Sequence, residues 1–223
     1  VAPKGVYKNW YDQEIPNHMP DYVPKKMGLW RTDPNAKDLK PMFSTGAELH
    51  ILIMNVEAFS TKKGLQFAHK FLSSHDALMG VDESTTIKNP SAKRTKNILS
   101  LRSLTKYRRI LTGSPVTKSP LDLFSQCNFL DPWLLDQSSY YSFRTRYAIC
   151  RKIQVHGRQV EIVVGYRNLG ELSEKIKPFS DRVLKDDCLD LPKKTYLKRT
   201  IELSDDQKKV YKQMKQEALA VLN

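Results

Sequence analysis

The 223 residues contain no run of about 18 apolar residues, so hydropathy offers no transmembrane helix. They begin Val1-Ala2-Pro3-Lys4, without a methionine and without the charged-then-apolar pattern of a signal peptide. Cysteine is scarce. Cys127, Cys150 and Cys188 lie far apart with no CxxC spacing, which argues against a disulfide framework and a thiolate zinc site. The same scatter suits a reducing, intracellular compartment, whether cytoplasm, nucleoid or nucleus. Internal repeats and low-complexity tracts are absent. Acidic residues are outnumbered, 24 against 37 Lys and Arg, leaving a net charge of +13. Such an excess favours polyanionic partners, nucleic acid first and an anionic membrane surface second.

Hydrophobic residues make up 40% of the chain, enough for a real core. Short apolar runs alternate with helical patterns. Residues 49–54 (Leu-His-Ile-Leu-Ile-Met), 77–81 and 109–111 read as strands, the first apolar enough to be covered on both faces. Residues 62–73, 91–104 and 120–129 carry helical spacing. Strand–helix alternation predicts an α/β fold with a parallel sheet between helices. Residues 16–46 hold five prolines and read as an irregular excursion. Residues 151–165 alternate as a two-stranded hairpin turning at His156-Gly157, and 171–176 form a short helix. Ser204 to Gln207 fits a capping box opening a helix that runs to Leu222. The chain is expected to be a fragment, cut on both sides.

In α/β sheets, ligands bind at the carboxyl ends of strands. Two such ends carry chemistry. Asp82-Glu83 follows the apolar run 77–81, and Thr112-Gly113-Ser114 follows 109–111. Adjacent acids at a strand end point in different directions. One can help hold magnesium while the other handles an attacking water. A solvated turn is the bland reading for a DE pair alone. A further absence sharpens the pattern: from Ser84 to Leu121 there is no Asp or Glu, against nine Lys or Arg. That one-sided charge suits a phosphate backbone, with a solvated helix face as its plain counterpart.

The stretch Asp82-Glu83-Ser84-Thr85-Thr86-Ile87-Lys88-Asn89-Pro90-Ser91 resembles the DEAH-x-IKN-x-S signature of Swi/Snf-type ATPases in helicase superfamily II. Leu111-Thr112-Gly113-Ser114-Pro115 resembles their motif III, usually LTGTP, and continues to Phe129-Leu130-Asp131-Pro132. Val1-Ala2-Pro3-Lys4 with Trp10 resembles motif Ia, and Ile53 to Glu57 resembles motif Ib. Leu191-Pro192-Lys193-Lys194 resembles the basic stretch leaving the first lobe. The resemblance covers nearly the whole chain in order. Ser84 and Thr85 depart from the family's Ala and His, and Ser114 replaces a Thr.

The resemblance implies a RecA-like three-layer lobe, incomplete and carrying a small hairpin insertion, over residues 1–180. A connector, 181–223, would lead toward a second lobe. It implies ATP and Mg²⁺ as cofactors and double-stranded DNA as partner. Asp82 would hold the metal through water, and Glu83 would activate the attacking water. Thr112, Gly113 and Ser114 would sense the γ-phosphate. Lys4, Asn55 and Lys88 would contact nucleic acid. No G-x-x-x-x-G-K-[ST] phosphate loop occurs in these residues, and the family places it just upstream. By itself this stretch is therefore expected to be inactive. Motor subunits of restriction, defence or phage systems, and a non-catalytic DNA-binding lobe, fit the same motifs.

Overall fold

The computed structural model describes residues 1–33, 35–155, 158–188, 190, 192 and 195–222. The chain divides into two compact units, Val1–Ser180 and Asp181–Asn223.

The first unit opens with a short helical stretch: α1 (Tyr7–Asn9), a π-helical turn (Trp10–Glu14) and α2 (Ile15–His18). Four parallel strands follow. β1 (Lys25–Leu29) pairs with β2 (Leu49–Ile53), and β3 (Leu78–Val81) pairs with β4 (Tyr107–Ile110). Val1-Ala2 joins the two pairs. The Val1 nitrogen donates to the Gly80 carbonyl at 2.7 Å, and the Asp82 amide donates to Val1 at 2.7 Å. On the other side the Ala2 amide donates to Met54 at 3.1 Å, and Val56 donates to Ala2 at 2.9 Å. These bonds set β1, β2, Val1-Ala2, β3 and β4 in one parallel row. The expected α/β architecture is present, and the carboxyl ends of neighbouring strands lie side by side.

Helices make the crossovers. α3 (Lys62–Ser73) connects β2 to β3, and α4 (Lys93–Ser100) connects β3 to β4. In α3, Phe67, Ala68, Phe71 and Leu72 are buried, the repeat of one helical face. Its N-cap is Thr61, whose Oγ1 accepts the Gly64 amide at 3.1 Å. Gly64 is needed there, because a Cβ would sit 2.3 Å from the Ala58 carbonyl oxygen. α4 is shorter than the expected 91–104. Asn89 Oδ1 takes the Ser91 amide, which delays the helix start. α5 (Leu123–Leu130) follows a 3₁₀ turn at Pro120–Asp122. The main core joins these helices to the sheet through Phe59, Val81, Ile87, Ile98, Leu101 and Phe129.

The proline-rich excursion requires a correction. β1 lies inside it. Only Met27 and Leu29 mark it as apolar, and Gly28 interrupts the pattern. Its strand character comes from pairing with β2, and the prolines stand outside it, Pro24 accepting the Leu49 amide at 2.8 Å. α6 (Tyr140–Tyr147) was likewise unmarked by periodicity. Phe143 and Tyr147 anchor it in a second cluster with Phe124 and Leu172.

The hairpin is longer than expected, β5 (Ala148–Val155) against β6 (Arg158–Tyr166). Its expected turn residues, His156 and Gly157, lie outside the described residues. α7 (Leu169–Ile176) follows. Its Glu171 is bound by Arg146, Tyr147 and Lys175, and these partners, Arg146 foremost, hold its pKa down at about 2. A depressed carboxylate stabilises the fold above its ordinary value of 4.5 and loses that contribution as pH falls toward 2. Glu171→Gln should therefore flatten the acid limb of a stability-versus-pH curve in that window, as read by thermal melts.

The second unit contains α8 (Lys185–Cys188) and α9 (Asp205–Leu222). The capping box is formed: Gln207 Oε1 accepts the Ser204 amide at 3.1 Å, and Ser204 Oγ accepts the Gln207 amide at 3.4 Å. Leu191, Lys193 and Lys194 of the basic stretch lie outside the described residues.

Candidate nucleotide and nucleic-acid site

Asp82 and Glu83 cap the carboxyl end of β3. The Asp82 carboxylate is half-buried and held at both oxygens. Oδ1 accepts the Glu83 amide at 2.9 Å, and Oδ2 accepts the Trp10 indole N–H at 2.8 Å. Each oxygen keeps a further lone pair. Glu83 is exposed and sits in the left-handed region, at φ 47° and ψ 57°. Among the described residues, two other non-glycines share positive φ, Asp136 and Asn168. Asp and Asn tolerate that region; Glu has no such excuse, and such strain concentrates at functional sites. The left-handed step turns the chain into a 3₁₀ turn at Ser84–Ile87. The two carboxylates therefore part company after one residue.

The second strand end lies beside the first. The Leu111 amide donates to Val81 at 2.9 Å, and the Ser84 amide donates to Leu111 at 3.0 Å. Thr112, Gly113 and Ser114 continue from there as an open loop. Ser114 donates its amide to Thr112 Oγ1 at 3.2 Å and its hydroxyl to the Val116 carbonyl at 2.9 Å. Asp122 gathers the far side of this loop. Its Oδ2 accepts the amides of Thr117 and Lys118, both at 3.1 Å, and the Thr117 hydroxyl at 2.8 Å. Burial raises its pKa, but those bonds and the Lys88 charge together outweigh burial and hold the carboxyl below its ordinary value.

A buried link ties the two strand ends together from beneath. Ser84 and Gln126 are fully buried. The Ser84 hydroxyl donates to Gln126 Oε1 at 2.6 Å. Gln126 Nε2 donates to the Pro115 and Asp122 carbonyls, each at 2.8 Å. The acidic turn, the Thr112–Ser114 loop and α5 thus share one hydrogen-bonded unit. Sequence reasoning missed Gln126, Asp122 and the Trp10 contact. Trp10 and Gln126 reach Asp82 and Ser84 across 72 and 42 residues, while Asp122 binds Thr117 and Lys118 locally and Lys88 at a distance in sequence of 34.

The residues after the acid pair are occupied within the fold. Ile87 is in the core, Asn89 caps the Ser91 amide, and Lys88 pairs with Asp122 at 3.4 Å and donates to Thr117. The Lys88 ammonium, expected at nucleic acid, thus has Asp122 and Thr117 as its partners within the fold. Lys4 and Asn55 fall together, Asn55 bridging Ala2 and Lys4 two residues beyond it, exposed. Asn55 donates to Glu57 at 3.1 Å. The basic run divides similarly. Arg94, Arg102 and Arg108 donate to carbonyls of Thr86, Asn128 and Leu130 respectively. Lys93, Lys96, Lys106, Arg109 and Lys118 are exposed.

Other reactive types fill plainer roles. Trp30 is buried against Phe67 at 4.9 Å between ring centroids, while Trp133 is exposed. His50 Nδ1 meets His75 Nε2 at 2.9 Å. Burial pushes the Cys127 thiol up to about 12, which leaves it inert as a nucleophile. No cluster of three or more His, Cys, Asp or Glu with metal-holding geometry occurs among the described residues.

The SNF2-related domain family matches residues 1–223. The chain is 29% identical over 220 residues to the chromatin-remodeling ATPase INO80 of Arabidopsis thaliana, covering 96% of this chain and 14% of that protein. It is 34% identical over 131 residues to the TATA-binding protein-associated factor mot1 of Schizosaccharomyces pombe, covering 58% of this chain and 7% of that one. The SWI2/SNF2 ATPase core of Sulfolobus solfataricus, solved in complex with dsDNA, aligns over 66% of this chain and 27% of its own, with TM-score 0.48 and 26% identity. The chain thus spans a small part of the relatives it matches. With the family covering its whole length, and the acidic turn and threonine loop set on neighbouring strand ends, this chain belongs to the SNF2-related domain family.

Proposed function

We propose that the intact protein is a DNA-dependent ATPase motor, and that residues 1–180 form part of its first RecA-like lobe, with 181–223 leading toward a second. The observation that carries this reading is the adjacency of Asp82-Glu83 and Thr112–Ser114, joined through the Ser84 amide and the Leu111 carbonyl. Two carboxylates at one strand end, with a hydroxyl-rich loop at the next, suit the metal-holding and water-positioning parts of phosphoryl transfer to water.

The residues present suit magnesium. Mg²⁺ is held by one or two carboxylates with substrate phosphates and waters, not by an all-protein cage. Asp82 offers one half-buried carboxylate with free lone pairs, and would hold the ion through water. Bound magnesium supplies charge neutralisation at the phosphates. Glu83, exposed beside it, orients the attacking water and accepts its proton. The Thr112 and Ser114 hydroxyls and the Gly113 amide would meet the γ-phosphate of ATP, and Ser84 and Gln126 would relay the loop's position to the acidic turn.

The partner is double-stranded DNA. Lys4 and Asn55, at the next strand ends along the row, would touch its phosphates, aided by the exposed cations of the basic run. Such contacts are independent of sequence. The relatives' names, a chromatin-remodeling ATPase and a TATA-binding protein-associated factor, support a nuclear, DNA-directed role. Phosphate release by the intact protein, with and without duplex DNA, tests the reading. Hydrolysis should rise about ten-fold or more with DNA, in line with a motor whose contacts are realised in the transition state. Hydrolysis indifferent to DNA would overturn it.

A further inference from the structure

Trp10 stands in a π-helical turn, a rare local geometry often found at functional sites. Its ring packs against the cluster of Ala2, Tyr7, Leu29 and Ile53, which fixes its position from the sheet side. From there its indole N–H reaches across 72 residues of sequence to Asp82 Oδ2, at 2.8 Å. The other oxygen, Oδ1, is held by the Glu83 amide at 2.9 Å. Two donors from separate elements therefore lock the carboxylate plane. An indole N–H donates and never accepts, so it cannot compete with Asp82 for a cation.

We propose that Trp10 is a positioning residue for metal binding: its indole holds Asp82 in the one orientation that accepts Mg²⁺ or its coordinated water. The inference rests on the reading of Asp82 as the magnesium carboxylate. Hydrogen bonds that orient a metal-binding carboxylate are worth about 10–100-fold in metal affinity. Trp10 would then do more than anchor the N-terminal helical stretch. The ring supplies the anchor and the N–H supplies the orientation, so the two roles separate by substitution.

The experiment uses the intact protein, Mn²⁺ as probe and a non-hydrolysable ATP analogue. Trp10→Phe keeps an aromatic ring and removes the donor. Mn²⁺ binding followed by electron paramagnetic resonance should weaken by about ten-fold or more. The Mg²⁺ concentration for half-maximal hydrolysis should rise by the same factor, with turnover largely restored at saturating Mg²⁺ and metal-free nucleotide binding unchanged. Asp82→Asn is the companion. If Asp82→Asn binds Mn²⁺ like the wild type, the magnesium reading of Asp82 fails and takes this inference with it. If Asp82→Asn weakens Mn²⁺ and Trp10→Phe does not, the Trp10 inference alone fails. Should Trp10→Phe not fold, the wild type labelled with ¹⁵N decides. Mg²⁺ with nucleotide must leave the Trp10 indole N–H slow to exchange and shift its resonance, and Asp82→Asn must lose both effects; an indole N–H indifferent to Mg²⁺ overturns the proposal.

Discussion

In the intact protein, Glu83→Gln is expected to lower DNA-stimulated ATP turnover by about 10²–10⁴-fold, the range a general base supplies, while nucleotide affinity stays within a few-fold. The substitution keeps the shape and length of the side chain and removes only the charge and the proton acceptor. Glu83 is exposed, so no buried partner is orphaned by the change. Its φ of 47° gives a second handle. A left-handed non-glycine residue stores roughly 1–2 kcal/mol. Glu83→Gly relieves that strain at some cost in unfolded-chain entropy. It should fold about as well as the wild type and turn over no faster than Glu83→Gln. A pair of variants with intact melting temperatures and lost turnover would place Glu83 in the chemistry. Near-normal hydrolysis by Glu83→Gln would remove it.

The second large effect is on stability. Gln126→Ala should destabilise by about 2–4 kcal/mol, from the cavity left and from the hydroxyl of Ser84 losing its acceptor. Gln126 and Ser84 are both fully buried, so water cannot replace the lost bond. The double variant Ser84→Ala with Gln126→Leu should recover the part of that loss that comes from the cavity and the Ser84 hydroxyl, while the Pro115 carbonyl still lacks the Gln126 donor. Urea midpoints of the wild type, Ser84→Ala, Gln126→Leu and the double variant close the cycle. If the double variant is as unstable as those two single changes summed, the buried bond is not what joins the acidic turn to α5. A recovered fold with impaired turnover would add that the bond transmits position as well as stability.

How far these features could be read in advance depended on whether their cause was local. α3 has a Thr cap, a glycine forced by the Ala58 carbonyl and a clean apolar face, and its bounds follow from those signals. The acidic turn was legible as a strand end, since the apolar run 77–81 stops at two acids. β1 was hidden because its strand character belongs to its partner: two lysines and a glycine become a strand only beside β2. α6 was hidden because it is only eight residues long and its anchors, Tyr140, Phe143 and Tyr147, are aromatics set among Ser, Thr and Arg. Lys88 shows what a count of charges leaves out. A lysine in a one-sided basic run invites a phosphate, yet the fold supplies Asp122 at 3.4 Å. The same long-range pairing absorbs Arg94, Arg102 and Arg108 into carbonyl contacts. Charge counted along a sequence therefore overstates the charge left for a ligand.

The clasp formed by Asp122 has a thermodynamic side. The loop from Thr112 to Val116 is tied at its start through Leu111 to Val81 and Ser84, and at its end where Thr117 and Lys118 donate to one carboxylate. A free loop of that length would lose roughly 1–2 kcal/mol per residue on settling around a ligand. Here most of that ordering is complete before any ligand arrives. On the proposed reading, the open tip would close on a phosphate by small rotations of its amides and hydroxyls, leaving the binding energy for the reacting groups.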